Sequence, residues 1–137
     1  MSQDPNSNTI TEGIRVEAAG QFVPEQSDQD MRRFLYVYRI RFTNEGSLPA
    51  QLLSRHWIIL DAENAREEVI GEGVVGKYPH LRPGESFEYH SYCPLRTEWG
   101  TMEGSYTFRR PTGELFEVSI GRFFLVPSID NMLVTES

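Results

Sequence analysis

The sequence predicts an all-β chain folded as an immunoglobulin- or fibronectin type III-like antiparallel β-sandwich of about seven main strands. Three observations carry that expectation. Apolar residues recur with period two rather than 3.6, the signature of strands. Turn residues separate these runs at roughly regular intervals, as in sandwiches. Hydrophobic residues make up 39% of the 137 and aromatics 12%, enough anchors for one core. A chain of this length removes about two-thirds of its unfolded surface from water, so a single domain can stand without staples.

Gly13–Phe22 gives the first strand through Ile14, Val16 and Ala18. Phe34–Asn44 is the clearest, with Phe34, Tyr36, Tyr38, Ile40 and Phe42 on one face and Arg39 and Arg41 on the other. The turn residues of 44–49 end it. Gln51–Ala62 alternates less cleanly around Trp57 and reads as a central strand with apolar neighbours on both faces. Arg66–Ile70 is a short extended piece running into the glycine-rich 71–76, and Leu81–Glu85 is a turn set by Pro83 and Gly84. Ser86–Cys93 alternates again. Glu103–Arg110 and Leu115–Leu125 are joined by Pro111-Thr112-Gly113, a hairpin-length connection. Tyr106 falls early in the strand equivalent to F of an immunoglobulin-like domain. Residues 1–12 read as a flexible tail, 13–125 as the domain, and 126–137 as a tail or an arm. The apolar Ile129, Met132, Leu133 and Val134 in that last stretch would suit a homodimer.

Composition narrows the function classes. Cys93 is the only cysteine, which excludes an intrachain disulfide framework and fits a reducing compartment. No run approaches the roughly 18 apolar residues of a membrane span, and the polar N-terminus lacks a secretory pattern. A cytoplasmic protein is expected, with no membrane association. The net charge of −7 argues against nucleic acid as a partner. That acidity is localised: residues 1–31 carry six acids and one base, and residues 125–137 two acids and no base. The body between them balances twelve against twelve, and it is there that a partner should be sought.

Four segments then resemble one family. They are Gln51–Trp57 (QLLSRHW), Glu68–Gly76 (EVIGEGVVG), Leu81-x-Pro83-Gly84-Glu85-x-Phe87-x-Tyr89-x-Ser91, and Met102–Phe108 (MEGSYTF). As a set, in unbroken order from about Gly13 to Phe124, they resemble the ApaG family, also called the DUF525 domain. The resemblance implies a fibronectin-like sandwich and a genetic link to cobalt resistance and magnesium efflux in bacteria. In eukaryotes it implies a protein-binding module, found in an F-box substrate-recognition protein and in a DNA-polymerase-interacting protein. No enzymatic activity comes with it. The chain departs from the family pattern at the Arg-rich 103–110 strand and the 97–100 loop, which bears on surface partners and not on the fold.

Candidate sites follow from the residues. Gly71, Gly73 and Gly76 match GxGxxG, with Lys77, the only lysine, beside them. A dinucleotide loop needs those glycines to open a helix, whereas here Pro79 follows and Glu72 places a carboxylate inside. A structural glycine turn is the favoured reading, with pyrophosphate or nucleotide binding as the alternative. Magnesium or cobalt would need oxygen-rich ligands, and Asp61, Glu67, Glu68 and Glu72, with Glu63, offer them. The alternative is a solvated acidic loop. Ser54 and His56 share a strand face but stand roughly 6–7 Å apart, beyond hydrogen-bond reach, so catalysis is not expected. Arg55, His56, Tyr78, His80, Tyr92 and Trp99 bring together the residue types that dominate interfaces. The sequence is therefore read as a non-enzymatic interaction domain, with a small-ligand protein centred on Glu67–Lys77 as the alternative.

Overall fold

Residues 6–127 are described by a computed structural model. Among the described residues, nine strands form two antiparallel sheets packed as a sandwich. They are β1 (Ser7–Thr11), β2 (Ile14–Phe22), β3 (Phe34–Asn44), β4 (Ala50–Asp61), β5 (Arg66–Glu72), β6 (His80–Leu81), β7 (Ser86–Leu95), β8 (Gly100–Arg109) and β9 (Leu115–Leu125). The first sheet runs β1-β2-β3-β7. The second runs β5-β4-β8-β9, with β6 pairing β4 beyond the end of β5. The only helical element among the described residues is the 3-10 turn Pro24–Gln26, and no helix is long and apolar enough to cross a membrane.

The alternation sorts side chains as expected. In β3, Tyr36, Tyr38, Ile40 and Phe42 are buried while Arg39 and Arg41 are exposed. Trp57 lies in the core at 2% exposure, edge-on to Tyr38, Tyr106 and Phe123 across the two sheets. Tyr106 is fully buried, its hydroxyl 2.6 Å from that of Tyr89. Asn44, also fully buried, ties one end of the sandwich together. Its side-chain amide donates to the carbonyls of Leu48 and Leu81, and its oxygen accepts from the Gly46 N–H.

Two strands exceed the expected seven, and one of them corrects the reading of residues 1–12 as a flexible tail. Ser7–Thr11 is β1, paired along its length with β2. Its inward positions are Ser7, Thr9 and Thr11, so it alternates without the apolar face by which strands are recognised. β6 has two residues, too few to show a period. The segment 128–137, and with it the proposed arm and dimer contact at Ile129–Val134, lies outside the described residues.

The two sides of the sandwich differ. On one, Thr9 Oγ1 donates to the Ser119 carbonyl at 2.9 Å and Thr11 Oγ1 accepts the Ser119 N–H at 3.3 Å, so β1 closes against β9. On the other, β5 and β7 end their sheets with no strand beyond them among the described residues.

Candidate interaction surface

Strand register decides which of the six candidate interface residues share a surface. Residues paired across antiparallel strands point to the same face. The core residue Trp57 pairs with Val69 and Gly104, so its neighbours His56 and Ile58 project outward from the second sheet. Arg55 follows Trp57 inward. It lies beneath Gly71, where any side chain would collide with the guanidinium, and its Nη1 donates to the carbonyls of Glu72 (3.0 Å) and Gly73 (2.7 Å). Arg55 thus clamps the end of β5, and its guanidinium is committed to those carbonyls. Tyr92 is exposed, but on the outer face of the first sheet, beside Val37. Tyr78 sits past the β5 end with its hydroxyl donating to Glu72 at 3.0 Å, an acceptor that raises the phenol above its usual range. His80 is on β6 opposite Gln51.

The outer face of the second sheet can be followed row by row. At one end Leu60 pairs Thr101, which pairs Phe124. Trp99 stacks on Phe124, ring centroids 6.4 Å apart and planes 27° apart, with 42% and 53% of the two residues exposed. The next row sets Glu68, Ile58 and Glu103 side by side, with Arg122 forked onto Glu103 at 3.0 and 3.3 Å. Ile70, His56, Ser105 and Ser119 form the third, in which Ile70 is 74% exposed. Beyond Glu72, Ser54, Thr107 and Glu117, a last row carries His80, Gln51, Arg109 and Leu115. The face is therefore aromatic at one end, ion-paired in the middle and cationic at the other. Phe124, Ile70 and Arg109 belong to it and were not among the sequence candidates. Ile70 and Arg109 occupy outward positions of alternating strands, whereas the direction of Phe124 is set by the break in the β8–β9 register between Met102 and Gly104, which shifts the alternation of β9.

The glycine-rich segment opens no helix. Val74 and Lys77 exchange backbone hydrogen bonds at 2.9 and 2.8 Å, and the two residues between them, Val75 and Gly76, have φ of 44° and 77°. This is a two-residue hairpin turn of type I′. Gly73, at φ 63°, leaves no room for a side chain against the Lys77 carbonyl. With the Glu72 and Gly73 carbonyls already held by Arg55, Gly71, Gly73, Gly76 and Lys77 form a structural turn and not a helix-capped phosphate loop.

The acidic candidates are spread along the β4–β5 hairpin. Asp61 accepts the N–H groups of Glu63 and Ala65 in the turn, at 2.8 and 2.9 Å. Glu68 pairs with Arg66 and with His56 Nε2 at 3.1 Å, and these partners, Arg66 foremost, hold its carboxyl below the usual range. Glu72 is at the far end with Tyr78, and Glu67 is exposed. Among the described residues no three His, Cys, Asp or Glu side chains converge on one point. Cys93 is buried, and burial pushes its thiol up to about 12, the reverse of an activated nucleophile.

A family model described as the ApaG domain matches residues 24–110. Protein ApaG of Anaeromyxobacter dehalogenans (strain 2CP-C) is 52% identical over 120 residues, covering 88% of this chain and 94% of that relative. Protein ApaG of Bordetella pertussis is 50% identical over 112 residues, covering 82% and 86%. A crystal structure of the ApaA protein from Bordetella pertussis superposes with a TM-score of 0.82 at 46% identity, over 92% of this chain and 98% of that one. Motifs, sandwich and relatives agree, and the chain belongs to the ApaG family.

Proposed function

We propose that the domain is a non-enzymatic protein-interaction module that meets its partner with the outer face of the second sheet, centred on Trp99 and Phe124. The observation that supports this reading is the exposed, stacked aromatic pair formed by Trp99, in the connection just before β8, and Phe124, near the end of β9. Leu60 and Ile58 extend it, and the Glu103–Arg122 pair borders it. Large aromatics held in place beside a polar rim are what binding hot spots are made of. Under this reading the effect of the family on cobalt and magnesium is exerted through the partner. The ligand-binding alternative is less well supported, because Glu68, Glu72 and the carbonyls of the glycine turn are engaged with Arg66, His56, Tyr78 and Arg55.

The test is capture with the immobilised full chain in the presence of a chelator, with the bound protein identified and its affinity measured. The variant Trp99→Ser with Phe124→Ser should weaken binding by roughly thirtyfold or more, the range expected for hot-spot truncation. Tyr92→Ser, on the opposite face, should leave it unchanged. Binding indifferent to the double variant would sink the choice of surface. Loss of the partner on chelation, together with heat released by magnesium or cobalt on the isolated chain, would sink the module reading itself.

A further inference from the structure

At the end of the outer face away from Trp99, the row His80, Gln51, Arg109 crosses β6, β4 and β8. The β8–β9 turn rises beside it, closed by the Arg110 N–H to the Glu114 carbonyl and the Gly113 N–H to the Arg110 carbonyl, each 2.8 Å. Row and turn enclose an open groove of about 410 Å³, lined by Gln51, His80, Arg109, Arg110 and the 111–113 turn. Two arginines and a histidine are among its lining residues, and no acidic residue is. Among the described residues neither arginine has a carboxylate within ion-pair distance. In a chain with net charge −7, that is a local reversal of sign.

The two arginines are not equivalent. Arg110 stacks over the Phe116 ring, 4.2 Å from its centroid, and its donors go to the carbonyls of Leu48, Pro49 and Glu12. Those carbonyls fix the group in place without cancelling its charge. Arg109 is exposed and makes one described bond, from Nη2 to Gln51 Oε1 at 3.1 Å. Gln51 is itself held by donating Nε2 to the Tyr78 carbonyl at 3.3 Å. The Arg109 fork is therefore oriented from behind while most of its five N–H donors stay unused.

We propose that this groove is an oxyanion-binding site, taking a phosphate or carboxylate group against Arg109, with Arg110 as the fixed charge behind it and His80 as the opposite wall. A planar fork is the geometry that recognises such groups through two parallel hydrogen bonds. The site is separate from the glycine turn and from the aromatic end of the face, and stands or falls independently of the function proposed above.

Amide and histidine-ring NMR of the full chain, titrated at constant ionic strength with inorganic phosphate and in parallel with a short acetylated aspartate peptide, tests it. Saturable shifts are expected at residues 51, 80 and 109–113. The stronger of the two responses tells whether the natural anion is a phosphate group or an acidic peptide carboxylate. Arg109→Gln should weaken binding roughly tenfold or more, the worth of a charged hydrogen-bond pair. Arg109→Lys, which keeps the charge and loses the fork, should fall between. Both substitutions are at an exposed position, and a dispersed spectrum verifies that each variant is folded. Shifts that never saturate, that centre on residues 73–77, or that persist unchanged in Arg109→Gln would overturn the proposal.

Discussion

Val75 adopts φ 44°, a left-handed conformation that a β-branched residue takes only under constraint. The constraint is visible: the Val74–Lys77 hydrogen bonds close a type I′ turn, which needs positive φ at both central positions. An L-residue pays about 1–2 kcal/mol there, and asparagine pays least after glycine. Val75 is 53% exposed, so its replacement removes little packing. Val75→Asn is therefore expected to stabilise the protein by about 1 kcal/mol, read as a rise in the urea midpoint at unchanged slope. An unchanged or lowered midpoint would mean that the valine side chain contributes contacts outweighing the strain. The same residues show what the motif conceals. Spacing alone makes 71–76 look like a phosphate loop, but the placement of Pro79 and Glu72 already spoke for a turn. What could not be read was Arg55, whose inward direction depends on its register with Gly71.

At the level of the strand, recognition depended on contrast between faces. β3 and β9 bury alternate apolar side chains and are legible from their pattern. β1 buries hydroxyls, so its alternation carries no hydropathy signal, and it was read as tail. The outer face of the second sheet was partly legible: His56 and Trp99 stand out by type, whereas the alternation of Phe116, Val118 and Ile120 would place Phe124 inward, and it is the break in the β8–β9 register between Met102 and Gly104 that turns it outward. The closing role of β1 yields a test. Thr9→Val and Thr11→Val each remove one hydrogen bond to the Ser119 backbone while keeping shape, and each should cost about 1 kcal/mol. Deleting residues 1–11 should cost more than both together, because it also uncovers the edge of β2, where Ile14 and Val16 are fully buried. Denaturant titration of the three variants checks this. A deletion no worse than the paired substitutions would show that β1 adds nothing beyond those two bonds.

Across the whole molecule, the interior is unusual in carrying phenols from both sheets. Tyr36 and Tyr38 on β3, Tyr89 on β7 and Tyr106 on β8 are all buried, and in each, burial is the main cause that raises the phenol above its ordinary 10. The Cys93 thiol, ordinarily near 9, is pushed up to about 12 in the same way. Each group loses its proton at higher pH when folded than when unfolded. Between those two values the native state binds more protons than the unfolded chain, so stability must fall as pH rises. Well below pH 9 these groups leave stability unaffected by pH. As pH rises through 9 the thiol erodes it, and as pH rises through 10 the phenols join in. Each contributes a slope of at most about 1.4 kcal/mol per pH unit. Urea midpoints measured through this range should therefore decline gently and then steeply. Cys93→Ala should delay the onset towards pH 10. The paired Tyr89→Phe and Tyr106→Phe, which removes both members of the buried hydroxyl pair and leaves no orphaned donor, should make the steep limb shallower. A midpoint that stays level beyond pH 10 would show that the folded core admits ionised phenols as readily as the unfolded chain does.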